Sequence, residues 1–322
     1  MHIFITGVSG FVGGATARAL IADGHTVSAM SRSAKSDKII EGLGAQPIRC
    51  DLETVSAEHL ADTDVCIHSA AYVEAWGPKE AWHKGNVLGT QSVLAAASGA
   101  GVSRFVHIGT EAGIVYGQHI VDADETYPLA PNSPYPYCAT KAQAEQLVVA
   151  ANTSEFDTIV LRPRLIWGVG DTTLLPVIQD MCARGNWSWI NKGSARTSSI
   201  YIDNLVHAIQ LALKGGVPGE VYFILDEEVH TMKEIITGMA SSQNLDLGDR
   251  SIPSWLADSV GFLCEGTWRV LNLKSEPPLT RHAAMVMSRD CVLNGDKAAR
   301  ELGYKPLVSF AEGLQKMKSA AS

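Results

Sequence analysis

The sequence predicts an α/β fold: a doubly wound parallel sheet with a smaller, interleaved C-terminal lobe. Three observations carry this. Short β-rich runs alternate with helix-like stretches along most of the chain. Several runs, among them Val65-Cys66-Ile67 and Thr158-Ile159-Val160-Leu161, are apolar throughout, as strands covered by helices on both faces should be. The chain has 322 residues, 46% of them hydrophobic, enough for a sizeable core.

The first strand is read at His2 to Thr6, and the helix that follows the next turn reaches about Ala22 before stopping at Asp23-Gly24. Further strands are expected at Thr26 to Met30, Ala45 to Cys50, Asp64 to His68, Arg104 to Ile108 and Asp157 to Leu161. The turn-forming run from Pro131 to Pro136 precedes a helical segment from Ala139 to Ala151. After Pro163 the rhythm loosens, and Trp167, Trp187, Trp189, Trp255 and Trp268 are spread through what reads as a second lobe. Val221 to Leu225 looks like a strand returning to the sheet, so the lobes interleave. Residues 1–165 with about 200–226 are assigned to the larger lobe, and about 166–199 with 227–322 to the smaller. Trp255 to Leu273 is amphipathic, which suits a helix packed on its own lobe, a lid, or a membrane-contacting surface.

Composition removes several classes of function. Lys and Arg total 26 against 34 Asp and Glu, a net charge of -8, so no nucleic acid partner is expected. The six cysteines are far apart, without Cys-x-x-Cys or a His/Cys cluster, which reads as free thiols in a reducing cytosol and no metal site. The first strand leaves no room for a signal sequence, and no apolar run is long enough to span a membrane. The expectation is a cytoplasmic protein acting on a small molecule, with a homodimer and peripheral membrane contact both compatible with the sequence.

Gly7-Val8-Ser9-Gly10-Phe11-Val12-Gly13 lies directly after the first strand and opens a helix. Glycines there permit a tight turn and let a pyrophosphate approach the backbone, while the helix N-terminus offers unpaired N–H groups. This is the dinucleotide end of a Rossmann-type sheet. The acid expected at the end of the second strand, where it would bind a ribose 2′-hydroxyl, is missing; the chain reads Met30-Ser31-Arg32-Ser33 instead. Arg32 flanked by the hydroxyls of Ser31 and Ser33 suits the 2′-phosphate of NADP(H), with NAD(H) as the alternative.

Tyr137 and Lys141 in Tyr137-Cys138-Ala139-Thr140-Lys141 share one helical face. An ammonium near a phenol favours phenolate, so the spacing predicts a lowered Tyr137 pKa and a usable general acid or base. Thr110, just past the fifth strand, is placed to hold a substrate oxygen. Glu111 beside it needs a partner, and Arg164 at another strand end is expected to supply one, shaping a substrate site that also includes Trp76.

Together TGVSGFVG at 6–13, Asp51-Leu52, HSAA at 68–71, Asn86-Val87, Gly89-Thr90, YCATK at 137–141 and Arg162-Pro163 resemble the extended short-chain dehydrogenase/reductase superfamily over essentially the whole chain. The resemblance implies that Asp51 and Leu52 lie by the adenine, that Ser69, Ala70 and Ala71 line the cofactor with Pro163, that Thr110, Tyr137 and Lys141 meet at the reacting carbon, and that Asn86 braces a neighbouring helix. Pro277-Pro278-Leu279-Thr280-Arg281, Glu301 to Pro306 and RPRLIWGVGD at 162–171 are similar to the 3β-hydroxysteroid and sterol-4-carboxylate 3-dehydrogenase branch. Two departures stand out: Gly109-Thr110 where the family usually has a Ser pair, and Arg32 where an NAD-type member has an acid. The expected activity is hydride transfer between a nicotinamide and a secondary alcohol or ketone of an apolar, steroid-like substrate. A nucleotide-sugar epimerase or dehydratase and a non-catalytic NADP-binding regulator are the alternatives.

Overall fold

A computed structural model describes residues 1–321. Seven strands form one parallel sheet: β1 (His2–Thr6), β2 (Thr26–Ser31), β3 (Gln46–Arg49), β4 (Val65–His68), β5 (Arg104–Ile108), β6 (Asp157–Pro163) and β7 (Val221–Ile224). Their order is β3-β2-β1-β4-β5-β6-β7, every neighbouring pair parallel. Each strand expected from the sequence is present, and Val221 does return to the sheet beside β6. The order reverses direction between β1 and β4, so the crevice of the fold opens at the carboxyl ends of these strands.

Helices α1 (Phe11–Ala22), α2 (Ala34–Gly42), α3 (Gly89–Gly99) and α4 (Pro136–Ala150) follow β1, β2, β4 and β5. Local chemistry sets their starts. Ser33 caps α2 reciprocally with Ser36, and Pro136 opens α4, where its fixed φ and missing N–H cost nothing. The strands are buried between the helix layers, with Ile3, Phe4, Ile5, Cys66, Ile67, Phe105 and Val106 fully enclosed.

The rest of the chain adds α5 (Leu174–Ala183), α6 (Ile202–Ala212), α7 (Met232–Ser242), α8 (Ser254–Val270), α9 (Arg281–Ser288) and α10 (Phe310–Ala321). Of these, α6 packs back on α1. A small four-stranded sheet joins Arg196–Thr197 to His230–Thr231 and to Cys291–Leu293, which in turn pairs with Ile120–Ala123 from the earlier part of the chain. Trp167 and Trp189 fill a second hydrophobic core, whereas Trp255 is exposed on α8. No helix among the described residues is long and apolar enough to cross a membrane.

Candidate active site

The glycine loop is built so closely that side chains cannot enter it. Gly7 has φ +81°, and a Cβ there would lie 2.9 Å from the Ala70 nitrogen; a Cβ on Gly13 would lie 2.3 Å from the Gly7 carbonyl oxygen. Gly10 begins α1 without any side-chain cap, so the leading N–H groups of that helix remain available to an anion. Ser9 and Gly10 are exposed at the tip, while Phe11 and Val12 pack against the second lobe. The Thr6 hydroxyl accepts N–H bonds from Ser69 (3.1 Å) and Ala70 (3.0 Å), which holds the 69–71 segment alongside the loop. It also meets Nδ1 of His68 at 2.8 Å, and Nε2 of that ring meets Thr90 at 3.1 Å. Burial, with the nearby Lys141 charge, pushes the His68 pKa down to about 3 and keeps the imidazole neutral. A cradle of backbone donors without a Cβ at Gly7, Gly10 and Gly13 fits a dinucleotide pyrophosphate.

At the end of β2 the arrangement differs in part from the sequence expectation. Arg32 is exposed and pairs with no carboxylate among the described residues. The serine hydroxyls beside it are engaged: Ser31 donates to the Asp37 carboxylate at 2.5 Å, and Ser33 accepts from the Ser36 N–H. Asp37 is in turn ion-paired with Arg49. An acid does therefore sit near the end of β2, brought there by the first turn of α2, with its charge already matched. Asp51 caps its own turn, accepting from the N–H groups of Glu53 and Thr54 at 2.9 Å and from the Thr54 hydroxyl, which holds its carboxyl below the ordinary range. Leu52 packs where Gly89 leaves room; a Cβ on Gly89 would meet it at 2.8 Å.

Thr110, Tyr137, Lys141, Glu111 and Arg164 converge at the carboxyl edge of β5 and β6. Thr110 begins a short 3-10 turn, Glu111–Ile114, and its hydroxyl accepts from the Ala112 N–H at 3.2 Å. That hydroxyl donates to Glu111 at 2.7 Å, next to the Tyr137 phenol. The other Glu111 oxygen is ion-paired with Arg164, as the sequence led us to expect. Arg164 Nε donates across to Thr197 in the second lobe at 2.7 Å.

One expectation is overturned. Lys141 and Tyr137 share a helix face, yet the ammonium donates to the Ile108 carbonyl at 3.1 Å and does not relieve the phenol. The Tyr137 pKa is raised, first by burial and then by the Glu111 carboxylate, with the nearby Thr110 hydroxyl opposing. Burial lowers Lys141 to about 8, with Glu145 one turn along α4 acting against the fall. Gly109, the departure from the family's Ser pair, has a steric reason: a Cβ there would lie 2.9 Å from Val160 Cγ1 and 3.2 Å from the Leu161 carbonyl oxygen.

Asn86 braces more than a helix. Its Oδ1 accepts from the Tyr72 N–H at 2.7 Å, and its Nδ2 donates to the Tyr72 carbonyl (3.2 Å) and the Thr140 hydroxyl (3.1 Å), tying the loop after β4 to α4. His282 was not legible as a site residue; α9 brings its ring within 6.0 Å of Tyr137 and 5.6 Å of Tyr135. Only the preceding Thr280-Arg281 pair marked that region. Trp76 is placed elsewhere, its indole N–H on the Leu273 carbonyl at 3.3 Å and its ring under Arg269. Pro163 closes β6 in register with Ile224, directly before Arg164.

A sequence profile of the 3-beta hydroxysteroid dehydrogenase/isomerase family matches residues 4–253. The 4-hydroxy-2-methyl-3-oxo-4-farnesyl-3,4-dihydroquinoline-1-oxide ketoreductase of Stigmatella aurantiaca is 39% identical over 99% of this chain and 96% of its own length. The 2-alkyl-3-oxoalkanoate reductase of Stenotrophomonas maltophilia is 36% identical, with both chains covered completely. Among solved structures, the DesIV double mutant, a dTDP-glucose 4,6-dehydratase from Streptomyces venezuelae with NAD bound, superposes with a TM-score of 0.78. It is 24% identical over 99% of this chain and 96% of that one, a likeness of fold.

Proposed function

The chain belongs to the 3-beta hydroxysteroid dehydrogenase/isomerase family and is an NAD(P)-dependent oxidoreductase acting on CH–OH groups, and from that premise we propose that it is a ketoreductase in which Tyr137 moves the proton. The observation that carries the proposal is the convergence of Tyr137, Lys141 and the Thr110–Glu111–Arg164 chain at the carboxyl edge of the sheet, the edge that also carries the glycine cradle. When bound, the nicotinamide supplies or accepts the hydride. Tyr137, held protonated by burial and by Glu111, gives its proton to the substrate oxygen as the carbonyl becomes an alkoxide. The Thr110 hydroxyl turns from Glu111 to that oxygen and stabilises the developing charge. Lys141, fixed on the Ile108 carbonyl, keeps a positive charge at the floor of the crevice.

Gly7, Gly10 and Gly13 with the α1 N-terminus would hold the pyrophosphate, and the 69–71 segment would run along the nicotinamide half. We assign NADP(H) as the preferred cofactor. Asp37 is neutralised by Arg49, which leaves Arg32 unopposed for a 2′-phosphate. Arg32→Ala should raise KM for NADPH by about tenfold or more and leave NADH use nearly unchanged. An equal effect on both cofactors would refute this preference.

The two relatives are named for a farnesyl-bearing 3-oxo-dihydroquinoline oxide and for 2-alkyl-3-oxoalkanoates, and a ketone on an apolar scaffold is the substrate class proposed here. Tyr135, Met285 and Val286 belong to the same hydrophobic cluster as Tyr137 and would supply an apolar wall. The larger lobe, 1–165 with about 200–226, would then carry the cofactor, and 166–199 with 227–322 the substrate. Tyr137→Phe should lower turnover of such ketones by about 10²–10⁴-fold while cofactor binding, read by nicotinamide fluorescence, persists. Undiminished turnover would end the proposal. A dehydratase or epimerase cycle, suggested by the shared fold alone, requires nicotinamide that stays bound through purification.

A further inference from the structure

We propose that His68 is a positioning residue, held in one neutral tautomer, that ties the cofactor-facing 69–71 segment to the helix turn bearing Tyr137 through a chain of directed hydrogen bonds. This rests on the reading of 69–71 as cofactor lining and of Tyr137 as the proton donor. The directions follow by elimination. The Thr6 hydroxyl oxygen accepts from the Ser69 and Ala70 N–H groups, which occupies both of its lone pairs. Its one hydrogen is left for Nδ1 of His68 at 2.8 Å, so Nδ1 is bare and the ring proton sits on Nε2. That N–H donates to the Thr90 hydroxyl at 3.1 Å, and Thr90 donates its own hydrogen to the Asn86 carbonyl at 2.6 Å.

From Asn86 the chain reaches the helix that carries the phenol. Its Nδ2 donates to the Thr140 hydroxyl at 3.1 Å, and Thr140 donates to the Pro136 carbonyl at 2.8 Å, with the Tyr137 carbonyl at 3.1 Å. One end is therefore the backbone beside the glycine loop, and the other is the first turn of α4. Thr6, His68, Thr90 and Asn86 are at most 2% exposed, so solvent cannot replace a broken link. No second link runs through His107: its ring lies 5.3 Å from that of His68, and neither of its nitrogens has a hydrogen-bond partner among the described residues. Lys141, whose charge reaches both rings, is committed to the Ile108 carbonyl. A second proton on His68 would set a donor against the Thr6 hydroxyl where the chain needs an acceptor; burial and the Lys141 charge keep that proton off. Hydride transfer depends on reacting groups held in close register, so a chain joining the two halves of the crevice bears on turnover even though none of its side chains takes part in the chemistry.

Two measurements test this. In the cofactor-free protein carrying isotope-labelled histidine, nitrogen–proton correlation NMR should show His68, identified by the resonance lost in His68→Gln, as neutral with its proton on Nε2. A proton on Nδ1, or on both nitrogens, overturns the inference. Thr90→Val keeps the shape of the side chain and removes the link. Per NADPH site counted by fluorescence titration, its kcat should fall about 10–100-fold while the Kd for NADPH stays within about threefold, and Thr90→Ser should restore kcat. Thr140→Ala, which unties the chain at α4 with a better helix former, should show the same split between kcat and Kd. A merely structural chain predicts lower stability with kcat per bound NADPH unchanged, and that result in either folded variant overturns the inference. Should Thr90→Val fail to fold, Thr140→Ala and the tautomer decide. Unchanged kcat in these variants beside an inactive Tyr137→Phe removes only the positioning role; full activity in Tyr137→Phe removes the reading beneath it.

Discussion

Lys141 shows how a single residue trades stability for function. Its ammonium is buried on α4, and its pKa of about 8 in the folded chain compares with 10.5 when unperturbed. Between those two values the unfolded chain binds the extra proton, so stability rises with pH across that window; below about pH 8 the buried charge is at its most costly. Lys141→Met should therefore stabilise the fold by about 1–2 kcal/mol near pH 7, after subtracting the lost Ile108 hydrogen bond, while removing turnover. A lower urea midpoint for that variant would contradict this. In the wild type, kcat/KM for ketone reduction should fall as pH rises through about 8, where Lys141 discharges; a rate that stays flat well beyond that point would show the charge is not needed. Gly13 makes the steric counterpart: Gly13→Ala places a Cβ 2.3 Å from the Gly7 oxygen and should abolish cofactor binding by fluorescence titration.

Helix α8, for which the sequence left open packing on its own lobe, a lid or a membrane-contacting surface, turns large apolar residues outward. The amphipathic pattern is real, yet only Ala257 and Gly261 are buried, while Trp255, Phe262, Leu263 and Val270 face outward. The reason lies in the packing partner. Gly261 lets α9 approach, with a Cβ there only 3.2 Å from the Arg281 nitrogen, so contact is made through the smallest residues and not through the large ones. Phe262→Ser and Leu263→Ser should accordingly change stability by no more than ~0.5 kcal/mol each, whereas Gly261→Ala should destabilise by ~1 kcal/mol or more, measured by thermal unfolding. Equal costs would mean the helix is packed the other way round. In α4 the opposite holds: buried residues surround the helix, including Thr140, Lys141 and Glu145, and no apolar stripe could have revealed them.

At the scale of the whole molecule, the crevice exists because the strand order reverses between β1 and β4, and its walls are joined by buried polar pairs. Arg162 on β6 holds Glu145 on α4 at 2.7 Å, with both side chains almost wholly buried and the guanidinium also over Phe223 of β7. Removing one partner leaves an unmatched charge in the core, and Glu145→Gln should cost about 3–5 kcal/mol in urea unfolding. Replacing both by Met should restore most of that stability, because the desolvation of the pair vanishes with it. A double variant as weak as the single would show that the pair itself organises the sheet against α4.

The sequence by itself determined the strands, the glycine loop, the Tyr137 and Lys141 spacing and the nearness of Thr110 to a strand end. Each is a local signal, written in a few consecutive residues and enforced by backbone sterics or by burial on both faces. The Glu111 and Arg164 pair was reachable too, since strand ends of a parallel sheet must share an edge. Tertiary structure alone decided the rest. It drew Lys141 to the Ile108 carbonyl instead of the phenol, engaged the Ser31 and Ser33 hydroxyls in α2, carried Asp37 to the end of β2, and set His282 against Tyr137. Those outcomes depend on which of several partners lies nearest in space, a competition between groups distant along the chain that no local pattern encodes.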